Sequence, residues 1–172
     1  MYAIDIMRAV PTLTADTSWR DAVHLLLGNA LDAAPVVDAD DRVVGIITQT
    51  DLATRTTGLE RTELRAILDG VITIRSHRTL LRWHESPHWE SGSTVASLMS
   101  TPVVTVRPDT PIAVVARTLL DHDITQVPVT ERDLRFVGMV RQRDIVAAVA
   151  MWGASLLPPP AERDAFAAWA AS

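Results

Sequence analysis

The feature that most constrains this 172-residue chain is a pattern stated twice. Pro35, Gly45, Gln49 and Asp51 return as Pro128, Gly138, Gln142 and Asp144, each pair 93 positions apart. The same offset relates Thr12, Asp16 and Thr17 to Thr105, Asp109 and Thr110, and Leu26-Leu27 to Leu119-Leu120. Met7 and Met99 are one step out, so a residue has been gained or lost before Thr105. An internal repeat decides architecture before local propensity does. A unit of about 50 residues buries too little of its own surface to stand comfortably alone. Two units packed as one pseudo-symmetric body are therefore expected, and 48% hydrophobic residues suffice for the core.

Both repeats give the same order of elements. A short amphipathic turn at 4–8 is echoed at 95–99, and short strands follow at 11–14 and 103–106. Helices are expected over 18–31 and 111–122, with Thr17 and Thr110 as N-caps and Pro111 at the favoured first helical position. Ala22, Val23, Leu26, Leu27 and Ala30 mark one buried stripe, and Val114, Val115, Thr118, Leu119 and Ile124 its counterpart. The apolar runs 34–37, 43–47, 127–130 and 136–140 read as buried strands joined by charged turns. Final helices start at Gln49 and Gln142. The fold class is α/β of the α+β type, with two β-α-β-β-α repeats. The expected organisation is repeat 1 over 1–54, a helical or irregular insertion over 55–93, repeat 2 over 94–150, and a tail over 151–172. Within the insertion, 60–68 reads as helix and 71–74 as a brief strand. Pro158-Pro159-Pro160 breaks the tail before a short helix at 161–171.

A strand entering Pro-Val, an acidic turn, then Gly45-Ile46-Ile47-Thr48-Gln49-Thr50-Asp51 resembles the CBS domain. With the second copy Gly138-Met139-Val140-Arg141-Gln142-Arg143-Asp144, the chain resembles a tandem CBS pair, or Bateman module, over 3–54 and 94–148. The resemblance implies a regulatory module with clefts between its repeats that bind an adenosine-containing molecule. AMP, ADP or ATP come first, S-adenosylmethionine or NAD after them, and no cofactor is required. In such modules the matching aspartate holds ribose and the matching threonine a phosphate, which implies these roles for Asp51 and Thr48. Ala34-Pro35 and Val127-Pro128, with Thr12-Leu13 and Thr105-Val106, would line the slots for the base. The resemblance further implies a homodimer formed through the helices and an effector protein that receives the signal.

Taken by themselves, Thr48 and Asp51 stand close to capping-box spacing. A helix N-terminus is also a seat for phosphate, so a structural and a binding reading share one geometry. The second copy keeps Asp144 but has Arg141 in place of the threonine, and an arginine opposes the helix dipole there. Two readings stay open. Arg141, with Arg143, reaches a phosphate as a charged donor, or the second site is degenerate and Arg141 points to solvent. His84 and His88 lie four apart beside Glu85 and Glu90, but Pro87 removes the helix that would align them. A loop that packs on the module or meets a partner is the preferred reading, with Trp83 and Trp89 flanking it.

The net charge of −5 and the lack of a basic run argue against nucleic acid. With no cysteine, disulfides, thiolate metal sites and thiol catalysis are excluded. No apolar run reaches the roughly 20 residues of a membrane span, and the start lacks the features of a signal peptide. A cytoplasmic protein is expected. No nucleophile elbow, Walker loop or dinucleotide glycine motif is present, so an enzyme is not. The alternative function is a scaffold or dimerisation module with vestigial nucleotide clefts, including as the cytosolic part of a membrane transport protein.

Overall fold

A computed structural model describes residues 1–57 and 93–153. The chain runs α1 (Ala3–Ile6), β1 (Leu13–Thr14), α2 (Trp19–Gly28), β2 (Ala33–Val37), β3 (Val43–Thr48), α3 (Gln49–Thr57), a 3-10 turn (Val95–Ser97), α4 (Ile112–Asp121), β4 (Gln126–Thr130), β5 (Phe136–Arg141) and α5 (Gln142–Trp152). The helices expected at 60–68 and 161–171, the strand at 71–74 and the His84/His88 loop lie outside the described residues.

Two compact units form, and neither is a contiguous repeat. One joins Met1–Ala9 to Val104–Ser172, and the other is Val10–Val103. Each unit thus takes the leading segment that precedes the other repeat in the chain. Backbone pairing explains the exchange. In the Val10–Val103 unit, β1 lies parallel to β2, and β2 antiparallel to β3, with Pro35 opposite Ile46. Proline has no N–H to give a neighbouring strand. It therefore fits the non-hydrogen-bonded position of this antiparallel pair, where the opposite residue's polar groups point outward, and Ile46 exchanges two bonds with Ser100 at 2.8 and 3.2 Å. The other unit repeats this device. Pro128 opposes Met139 across β4 and β5, and Met139 exchanges two bonds of 2.9 Å with Arg8.

The glycine at each crossing leaves room for a methionine. A Cβ on Gly138 would meet Met7 Sδ at 3.0 Å and the Arg8 carbonyl at 3.3 Å, while one on Gly45 would overlap Met99 Sδ. The helices close each unit from the side. Leu13, Ala22, Leu26, Val36, Ile47 and Val95 fill one core. In the other core Val106, Val115, Leu119, Val129, Val140 and Ala3 take the equivalent places.

Several expectations are corrected at the first helix of each repeat. The N-caps are Ser18 and Pro111, one residue later than expected. Ser18 Oγ accepts the Asp21 N–H at 3.2 Å. Thr17 and Thr110 stabilise the preceding turns, where their hydroxyls accept the N–H of Thr14 at 3.1 Å and of Arg107 at 3.0 Å. The buried stripe is narrower than expected. Leu26 and Leu119 are buried, but their neighbours Leu27 and Leu120 are 67% and 69% exposed, and Val114 is 50% exposed. At 3.6 residues per turn, a helix packed on one sheet face cannot bury both members of a Leu-Leu pair equally. Ala30 has left the helix altogether. It and Asp123 take left-handed backbone, with φ of 50° and 49°. That turn lets Leu31 and Ile124 donate back to the Leu26 and Leu119 carbonyls at 2.9 Å, which closes each helix end.

Candidate functional site

β3 delivers Thr48 to the start of α3, where it meets Asp51. The Thr48 N–H and hydroxyl donate to Asp51 Oδ2 at 2.8 and 2.7 Å, and the Asp51 N–H donates to Thr48 Oγ1 at 3.1 Å. Asp51 completes a reciprocal capping box in the shorter, aspartate form, and is only 6% exposed. The helix start is tied to the beginning of β2, since Gln49 donates its N–H to Asp32 O and its Nε2 to Leu31 O, both at 2.9 Å. Ala33 stands opposite Thr48, and Ala34 and Pro35 follow along β2. The fold therefore brings Thr48, Asp51 and the Ala34-Pro35 strand together. Ala34, Pro35 and Leu13 are buried in the core, while Thr12 precedes β1 and is exposed.

The second copy uses the same backbone for a different chemistry. Gln126 opposes Arg141, Val127 and Pro128 follow along β4, and Gln142 N–H donates to Thr125 O at 2.8 Å. Val127, Pro128 and Val106 are buried and Thr105 is partly so; Val106 pairs with Val129 in parallel. Asp144 again accepts the N–H three residues before it, from Arg141 at 3.1 Å. Arginine has no acceptor to return, so this is half a box. Instead the Arg141 side chain lies along Asp144, with Nε at 2.9 Å from Oδ2 and Nη2 at 3.1 Å from Oδ1. The expectation that a degenerate second site would turn Arg141 to solvent is thereby corrected: it is 14% exposed against 5% for Asp144. A buried carboxylate is costly without a partner, and the nearest guanidinium folds back to supply one. Arg143 is exposed and makes no ion pair among the described residues.

A third participant was not expected. Arg8, 136 positions from Asp144, donates Nε to Asp144 Oδ1 at 2.9 Å. Its counterpart at the β3 edge is Ser100, so the repeat carried no signal for it. An open cleft of about 290 Å³ lies beside this pair, and Asp5, Arg8, Asp144, Ala148, Met151 and Trp152 are among its lining residues. Among the described residues no group of three His, Asp or Glu is placed to hold a metal ion. No helix among them is long and apolar enough to cross a membrane.

The CBS-domain profile matches residues 3–57 and 95–151, both repeats of the chain. The chain belongs to the CBS-domain family. It is similar to the uncharacterized protein MJ1426 of Methanocaldococcus jannaschii, 23% identical over 154 residues that span 87% of this chain and 91% of that one. It is 26% identical over 146 residues to the chloroplastic CBS domain-containing protein CBSX1 of Arabidopsis thaliana, across 84% of this chain and 59% of the relative. The structure of CBSX2 in complex with AMP superposes with a TM-score of 0.64 at 22% identity, covering 87% of this chain and 96% of that one. The CBS domain pair of MJ0100, in complex with 5-methylthioadenosine and S-adenosyl-L-methionine, gives 0.61 at 24% identity, covering 87% and 96%. These likenesses establish the fold as an α+β CBS pair.

In this CBS pair Thr48 and Arg141, at matching positions, meet the two signature aspartates with different charge. Burial pushes the Asp144 carboxyl up, but hydrogen bonds from Arg141 and Arg8, the Arg141 N–H and the Arg141 charge outweigh it and hold the group below the usual carboxylate value. Thr48 brings hydrogen bonds to Asp51 but no charge. A threonine hydroxyl can turn from Asp51 to a ligand for about 0.5–1.5 kcal/mol, whereas separating a buried ion pair costs about 3–5 kcal/mol. Of these two contacts, Thr48–Asp51 is the cheaper to exchange.

Proposed function

We propose that this CBS pair is a regulatory module that binds an adenosine-containing ligand at the Thr48–Asp51 end of α3 and passes its occupancy to an effector protein. The observation that carries this reading is the reciprocal Thr48–Asp51 exchange at a helix N-terminus. A carboxylate held there suits a ribose diol, and the hydroxyl and N–H groups beside it suit a phosphate. Complexes of similar CBS proteins with AMP and with S-adenosyl-L-methionine support the ligand class. The ligand acts as a signal by binding one arrangement of the module better than another. The exposed Leu27 on α2, and Leu120, Val146 and Val149 on α4 and α5, are apolar positions through which two copies would associate, which sedimentation at increasing concentration tests.

The deciding experiment is a calorimetric titration of AMP, ADP, ATP, S-adenosylmethionine and NAD against the wild type and Asp51→Ala. One ligand should bind, and Asp51→Ala should weaken it about tenfold to a hundredfold. If none binds at millimolar concentration, the reading is lost. The scaffold alternative would then stand, and the Arg141–Asp144 ion pair is the observation that favours it.

A further inference from the structure

Resting on the adenosine-ligand reading, we infer that Arg8 is an anion receptor of the second repeat, held by Asp144 so that this repeat selects a phosphate-bearing ligand in place of a ribose. The Asp144 carboxylate takes Arg8 Nε and Arg141 Nε at 2.9 Å, and Arg141 Nη2 and the Arg141 N–H at 3.1 Å. A carboxylate offers about four acceptor positions, so a ribose diol has nothing left to donate to. The bonds that close Asp144 to ribose also orient Arg8. Only its Nε is used: the two Nη groups have no partner among the described residues, and the side chain is 63% exposed.

Arg8 lines the cleft described above together with Ala148, Met151 and Trp152. The geometry is that of a guanidinium fixed at one edge with its fork free, at the mouth of a partly apolar cleft. A fork of this kind binds phosphate by two parallel charge-assisted bonds. The lining carries Arg8 against Asp5 and Asp144, and Arg141 sets a second positive charge against Asp144. Asp5, which also lines the cleft, already accepts the Tyr2 N–H at 2.8 Å. The consequence is a division of labour: a nucleotide satisfies the second repeat, while a neutral nucleoside or a cationic sulfonium compound does not.

The test titrates AMP, adenosine, S-adenosylmethionine and inorganic pyrophosphate into Asp51→Ala protein, in which the first repeat's aspartate is absent. Arg8→Gln and Arg8→Lys are added in that background, with thermal melts to confirm folding. AMP should bind more tightly than adenosine or S-adenosylmethionine. Arg8→Gln should weaken AMP about tenfold to a hundredfold and leave adenosine unmoved, with Arg8→Lys between, because a point charge replaces a fork. If AMP binds the wild type but not Asp51→Ala, or binds with an affinity indifferent to Arg8→Gln, the receptor assignment is overturned and the adenosine reading survives. If no adenosine compound binds any protein, the adenosine reading falls. Pyrophosphate then decides the receptor alone: binding lost in Arg8→Gln sustains it, and no binding ends it.

Discussion

The starts of α3 and α5 are the same backbone put to two uses. Both follow the last strand of their sheet, both receive a carboxylate from three residues on, and both are tied to the start of a preceding strand by a glutamine N–H. At α3 a hydroxyl completes the exchange. At α5 two guanidinium groups surround the carboxylate. The difference teaches that a repeated aspartate need not keep a repeated role. A hydroxyl contact such as Thr48–Asp51 exchanges at small cost, whereas a buried ion pair such as Arg141–Asp144 is held.

The comparison breaks first on stability. Asp144→Ala leaves Arg141 without its partner in a nearly buried place and should cost about 3–5 kcal/mol, whereas Asp51→Ala removes part of a helix cap and should cost about 1 kcal/mol. Urea melts of the two variants read this directly, and equal losses would refute the distinction. The same ion pair sets an acid limb. Because the folded value of Asp144 lies below the ordinary one, its contribution is complete above the ordinary carboxylate value and is lost as pH falls through the lowered folded value. Asp144→Asn should flatten that part of the stability-against-pH curve.

The glycine sockets give the next largest difference. Gly45→Ala drives a Cβ into the Met99 side chain and should cost about 1–3 kcal/mol, with Gly138→Ala, whose nearest contact is 3.0 Å, at the low end. Chemical denaturation of both variants checks the order. Smallest is the left-handed turn after each first helix. Ala30→Gly should stabilise the protein by about 0.5–1 kcal/mol, and Asp123→Gly by less, because aspartate tolerates this backbone better than alanine. Matched thermal melts would sharpen or dissolve that contrast.

The repeat made most of the fold legible. Pro35, Gly45 and Asp51 with their partners at 93 positions marked strands, crossings and helix starts, because each of these residues answers a backbone constraint that recurs with the fold. Periodicity misplaced Leu27 and Val114, since only the sheet beneath decides which positions at the margin of a helix face are covered. The turns at Ala30 and Asp123 were invisible for another reason: the helix-end hydrogen bonds of Leu31 and Ile124 go with a left-handed residue there without glycine. The candidate site divided the same way. Thr48 and Asp51 were readable because their contact is local, three residues apart on one helix start.

The sequence by itself determined the architecture, the pairing of the two repeats and the places where chemistry would differ, through short-range steric rules that each repeat obeys separately. Tertiary structure alone decided which leading segment completes which sheet, and so put Arg8 on Asp144. That contact joins residues 136 positions apart, and it forms because Met139, at a non-hydrogen-bonded position of the β4–β5 ladder, turns its polar groups to an outward edge that the Arg8 backbone fills.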